Sequence, residues 1–154
     1  MRFDITSIQS DEWLKWEDTT PAGNIELIWA FVLNGDLKNY AISTGASLFR
    51  QSPRLGHPGT EWKPIPGPSN GEGYTTMTTD WTTNPKVLYL ATNNHIYVSK
   101  DEAATWQEIW GTATGLPVVP NVTSLKFLVQ GSGTQQKKRL FLGTYGWGLY
   151  SLNL

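Results

Sequence analysis

The sequence predicts an all-β chain built from repeated units of four short strands, and three observations carry that expectation. The 154 residues include 8 Trp, 15 Gly and 9 Pro, and an aromatic-rich, turn-rich composition suits short strands better than helices. Runs of β-branched and aromatic residues recur between Gly, Asn, Pro and Ser: "IELIWAFVL", "LKNYAIST", "KVLYLAT", "TSLKFLV" and "RLFLGT". No window sustains the i, i+3, i+4, i+7 spacing of an amphipathic helix. "SDEWLKWEDT" comes nearest, with Ser10 as its cap, but its Trp residues fit a strand better once the repeats are aligned.

Three segments stack on one another: "NYAISTGASLFRQ", "LYLATNNHIYVSK" and "LFLGTYGWGLYSL". Each runs through an aromatic, an apolar and a small residue to a Thr, then a short polar or Gly turn, then a second apolar-aromatic step. The anchors Thr44, Thr92 and Thr144 lie 48 and 52 residues apart. Before each comes an apolar run (Leu27–Leu33, Thr75–Trp81, Val122–Val129) and, in the later two, a polar turn, "TTNP" or "GSGTQQKK". After the first two comes a Trp, Trp62 in "TEWKPIPG" and Trp106 in "ATWQEIWG". Four strands per roughly fifty residues is the period of a propeller blade. The expected blades span residues 25–66, 74–110 and 122–154 of one domain, 1–154.

The third unit stops at "GLYSLNL", before a fourth strand and its Trp. "WLKWEDTTP" near the N-terminus carries Trp16 and aligns with "TEWKPIPGP" and "ATWQEIWGT". Residues 12–18 are therefore predicted as the strand that completes a last blade. Three blades cannot close a ring that typically needs four to eight, and an open arc exposes apolar faces and an unpaired edge. Head-to-tail pairing of two copies closes six blades. The expectation is a homodimeric six-bladed propeller in which each chain is one half.

"SKDEAATW" (Ser99–Trp106) resembles the Asp-box, or bacterial neuraminidase repeat, Ser-x-Asp-x-Gly-x-Thr-Trp, with Ala103 in place of the usual Gly. "TNPKVLYLATNNHIYVSKDEAATWQEI" resembles a whole blade of that type, and "RLFLGTYGWGLYSL" a last-blade form. The resemblance spans roughly Ile25 to Leu154, with one complete box; the first blade keeps "GTEW" after the insertion "SPRLGHP", and the third has no box. It implies blades like those of sialidases, xyloglucanases and sortilin-like receptors. In the box a carboxylate two residues after a Ser accepts backbone N–H bonds across a turn, and the Trp packs beneath it. Ser99, Asp101, Thr105 and Trp106 are accordingly expected to be structural.

A net charge of −1 with scattered Lys and Arg argues against a nucleic-acid or acidic-lipid partner, and no apolar stretch approaches a membrane span. The absence of Cys excludes disulfides and thiolate metal sites. His57 and His95 lie in different blades, so no metal or cofactor is expected. "MRFDITSIQS" lacks the basic start and apolar run of a secretory leader, which leaves the compartment open, and with it the meaning of the sequon "NVT" at Asn121.

In a propeller the second-to-third and fourth-to-first loops emerge on one face. Here they offer Tyr145, Trp147, Asn93, Asn94, His95, Tyr74 and Glu72, with Asn70 and Asn121 beside them. Aromatic faces stack on sugar C–H bonds while amides read hydroxyls, so the expected function is non-catalytic, lectin-like glycan binding. The alternatives are a protein-interaction or assembly scaffold, in which the same face grips a peptide or partner, or a glycoside hydrolase using Glu72 and Asp80. For Tyr145 and Trp147 themselves the alternative to ligand contact is packing against the neighbouring blade. The four Arg residues (Arg2, Arg50, Arg54, Arg139) do not suggest the triad of a sialidase.

Overall fold

The computed structural model describes residues 25–33, 36–43, 47–51, 62–69, 71–83, 86–111, 121–131, 133 and 136–154. The expected strand at 12–18 and the candidate Asn70 lie outside these residues. The described chain is all-β, as composition and the apolar runs require. Its strands are β1 (Ile25–Leu33), β2 (Asp36–Ser43), β3 (Ser47–Gln51), β4 (Lys63–Ile65), β5 (Tyr74–Asp80), β6 (Val87–Thr92), β7 (Ile96–Ser99), β8 (Gln107–Trp110), β9 (Val122–Gln130), β10 (Lys137–Thr144) and β11 (Gly148–Asn153).

They form three antiparallel meanders in chain order, β1-β2-β3-β4, β5-β6-β7-β8 and β9-β10-β11. The three units are blade-like, each opening on its long first strand, and these first strands neighbour one another, β1 with β5 and β5 with β9. Bulges interrupt the ladder at the start of the first strand in each sheet: between Ile25 and Leu27, between Tyr74 and Thr76, and opposite Gly143/Thr144 at Val122–Ser124. A bulge adds local twist.

Sheets stack through two apolar clusters. Tyr40, Ile42 and Leu48 of the first sheet meet Tyr74, Met77, Leu88, Leu90 and Ala103 of the second, with Ile65 and Trp106 at the margin. Tyr89, Ala91, Ile96, Val98 and Trp110 on the other face of the second sheet meet Val122, Leu125, Phe127, Leu140 and Leu142 of the third. Tyr89 stacks on Phe127, and the Tyr150 and Trp110 rings meet nearly at right angles. The second sheet is thus covered on both faces, which is why β6 and β7 read as nearly unbroken apolar runs. β9 instead alternates, with Val122, Leu125 and Phe127 buried and Thr123, Ser124, Lys126 and Leu128 exposed. That period-two pattern belongs to a sheet with one covered face.

Polar groups fasten neighbouring sheets as well. Asp80 is buried at the end of β5, where Oδ1 accepts from the backbone N–H and hydroxyl of Thr82, while Oδ2 receives Lys138 Nζ at 2.7 Å. Burial raises the carboxyl pKa, but Lys138 and Thr82 outweigh it and bring it below the usual range. A proline-rich strap after β4 is held by two ring donors, Trp106 Nε1 to the Pro66 carbonyl at 2.9 Å and Tyr74 hydroxyl to the Pro68 carbonyl at 3.0 Å.

Candidate functional site

The Ser99–Trp106 turn is built from local hydrogen bonds. Ser99 Oγ donates to Asp101 Oδ1 and accepts the Ala103 N–H at 2.8 Å. Asp101 Oδ1 accepts the Thr105 N–H at 2.9 Å, and Oδ2 takes the Thr105 hydroxyl. The Thr105 side-chain and backbone bonds, then that of Ser99, hold the Asp101 carboxyl down at about 2. The carboxylate thus closes the loop between β7 and β8 with its charge-assisted bonds turned on the hydroxyls and backbone of its own turn, an arrangement that positions strands rather than substrate. Arg50 of β3 donates to the Glu102 carbonyl at 3.1 Å, attaching the turn to the preceding sheet. Beside it a cavity of about 300 Å³ is lined by Pro66, Gly67, Pro68, Ser69, Tyr97, Ala104, Thr105 and Trp106.

At the opposite ends of the strands lie the loops singled out for ligand contact. Glu72 accepts from Thr92 Oγ1 at 2.6 Å, from Asn94 N–H at 3.1 Å, from Asn94 Nδ2 at 2.8 Å and from His95 Nδ1 at 3.0 Å. An ionised carboxylate only accepts, so His95 carries its proton on Nδ1 in this contact. Burial works to raise the Glu72 pKa, yet the Thr92, Asn94 and His95 bonds prevail and bring it to about 2. Gly111 closes the other side of His95: a Cβ there would sit 2.2 Å from His95 Cδ2. Glu72, Asn94 and His95 therefore form a latch that ties the entry to β5 to the β6–β7 hairpin. Tyr74 points inward, buried and hydrogen-bonded to Pro68.

Asn93, Tyr145 and Trp147 have a different setting. The Asn93 carbonyl accepts the Val122 N–H at 3.0 Å, and the Asn121 carbonyl accepts the Tyr145 N–H at 2.9 Å. Main-chain bonds thus stitch the β6–β7 hairpin to the start of β9, and that in turn to the β10–β11 hairpin. Asn93, Asn121 and Tyr145 become successive exposed neighbours along one rim. Tyr145 is 77% exposed and Trp147 64%, in a tight turn where Gly146 takes a positive φ of 81° that favours glycine. Asn121, also at positive φ, is a residue type that tolerates that region. The role of Asn121 as the link between two hairpins depends on a bond across 24 residues, which no local pattern in the sequence reveals.

The paired-carboxylate alternative meets a geometric obstacle. Glu72 precedes β5 and Asp80 ends it, so they stand on the order of 20 Å apart along an extended strand, well beyond the separation at which two acids serve one glycosidic bond. Both are held in the ionised form, whereas a general acid needs a raised pKa. Among the described residues no cluster of three His, Asp or Glu could hold a metal ion, and no helix is long and apolar enough to cross a membrane. No family model matches the chain, and no curated protein matches it.

Proposed function

We propose that the chain is a non-catalytic, lectin-like carbohydrate-binding module built on Asp-box propeller blades. The observation that carries this reading is the rim of Asn93, Asn121, Tyr145 and Trp147, in which exposed rings stand beside exposed amides on hairpins stitched by main-chain hydrogen bonds. An aromatic face offers a sugar ring an apolar platform of fixed position, and neighbouring amides supply both donors and acceptors for hydroxyls. Stitching lowers the entropy lost when a ligand is held. Ser99, Asp101, Thr105 and Trp106 serve the blade rather than the ligand.

The module functions as a six-bladed ring of two copies, with residues 12–18 of each supplying a fourth strand to β11 of the other. Support comes from the third sheet, which among the described residues has three strands where the others have four, and from Leu149 and Leu128, which lie open on it at 71% and 53% exposure. Repeating the rim twice around a ring adds avidity to weak single sites. The same exposed leucines favour a second reading, a scaffold that grips a protein partner.

A glycan array probed with the full chain is expected to show a defined set of binders. Tyr145→Ala and Trp147→Ala should each weaken binding by about tenfold or more, the scale of losing one aromatic contact. Because both rings are exposed, unfolding free energy should move by no more than about 0.5 kcal/mol. An array without binders refutes the lectin reading, and a pull-down of protein indifferent to added glycan favours the scaffold.

A further inference from the structure

The far end of the third sheet carries a second feature of a different kind. Leu140 and Leu142 of β10 are buried toward the second sheet, so strand alternation sends Lys137, Arg139 and Phe141 to the opposite face. Across the ladder Lys137 faces Gln130, Arg139 faces Leu128 and Asn153, and Phe141 faces Lys126 and Ser151. That face thus brings together Lys126, Lys137 and Arg139, and none of these register partners is acidic. Lys138 points the other way and is neutralised by Asp80 at 2.7 Å. A cavity of about 430 Å³ opens here, lined by Gln136, Lys137, Lys138, Arg139, Asn153 and Leu154. Arg139 Nε is shielded from solvent and has no hydrogen-bond partner among the described residues. A buried donor left without an acceptor is rare and destabilising; Nε itself is closed to the cavity, and it is the rest of the half-buried Arg139 side chain that lines it.

We propose that this cavity is a binding site for a small oxyanion, a carboxylate or phosphate group. The Arg139 guanidinium supplies the planar fork that matches such a group, Lys137 adds a second positive charge on the same face, and the Asn153 amide a neutral donor. The volume suits a small molecule rather than a polymer segment. The site is separate from the Tyr145–Trp147 rim at the other end of the same hairpin and does not rest on the sugar-binding reading.

The test is a titration of the full-length, 15N-labelled protein with inorganic phosphate and, separately, with acetate, each against sodium chloride at matched ionic strength. Saturable shifts are expected at the amides of Gln136–Arg139, Asn153 and Leu154, with those of Tyr145–Trp147 unmoved. Arg139→Gln should weaken binding at least about tenfold, as loss of a charge-assisted hydrogen bond does. Arg139→Lys, which keeps the charge without the fork, should fall between the two. Lys137→Gln, at an exposed position, should keep the fold and lose a few-fold in affinity. Stronger binding of phosphate or of acetate tells which oxyanion the site takes, and either supports it. Shifts that fail to saturate, shifts reproduced by chloride, or wild-type affinity in Arg139→Gln would overturn it.

Discussion

Ala103 shows how one methyl group sets burial against backbone strain. It sits at φ 70°, following Glu102 at 56°, in the left-handed region where a Cβ is disfavoured by roughly 1 kcal/mol. Its side chain is 1% exposed and packs among Tyr40, Ile42 and Leu48, and burying one methyl contributes about 0.8 kcal/mol. The two effects nearly cancel, so Ala103→Gly should leave stability within about 0.5 kcal/mol of wild type in urea unfolding; a large change of either sign would refute this balance. Glu72 gives a directional test. Its folded-state pKa of about 2 lies below the ordinary 4.5, so its contribution is fully present above pH 4.5 and disappears as pH falls toward 2. Glu72→Gln should cost on the order of 2 kcal/mol at pH 7, with the gap from wild type closing over that window in urea melts; a gap independent of pH would exclude the latch as its source. The contrast with the Ser99–Asp101–Thr105 turn explains what a sequence discloses. Bonds there span two to four residues, so spacing alone suggests them. Glu72 finds its partners 20 to 23 residues away, and its role as a latch emerges only once β5 and β6 pair.

At the level of single elements, the apolar runs were the most legible part of the chain, because β-branched and aromatic residues bounded by turn formers leave little choice of conformation. "IELIWAFVL" and "RLFLGT" match β1 and most of β10. Less legible was which faces would be covered. β6 is a nearly unbroken apolar run and β9 alternates, but which sheet covers each face depends on a neighbour distant in the sequence. The bridge from Asp80 to Lys138, 58 residues apart, was hidden for the same reason. It links β5 of one sheet to β10 of the next, and Asp80 is 2% exposed. Lys138→Met would leave that buried carboxylate without its counter-charge. The expected loss is about 3 kcal/mol by chemical denaturation, mostly recovered in Lys138→Met combined with Asp80→Asn, which keeps the Thr82 acceptor. A double variant no more stable than Lys138→Met alone would show that the pair does not act as one unit.

At the scale of the whole molecule, the arrangement of three sheets raises the question of closure. Two stacked interfaces hold the described sheets together, while one face of the third carries exposed Leu128 and Leu149. If two copies complete one another, light scattering should return twice the chain mass, and a chain lacking residues 1–24 should return a single mass. A full-length chain that stays monomeric at concentrations well above those of binding assays excludes the ring. Glycan binding by such a monomer would leave the rim reading intact, since Asn93, Asn121, Tyr145 and Trp147 all belong to one chain. The repeat period was readable because Thr44, Thr92 and Thr144 recur at similar intervals; how repeats combine between chains depends on surfaces that no interval encodes.

The double covering of the middle sheet also sets an order of events in time. Amide protons in β6 and β7 can meet deuterium only after a flanking layer has lifted away, whereas those of β11 need no more than a local fraying. Isotope uptake should therefore proceed inward from the third sheet, with Leu88, Leu90 and Val98 among the last positions to be labelled.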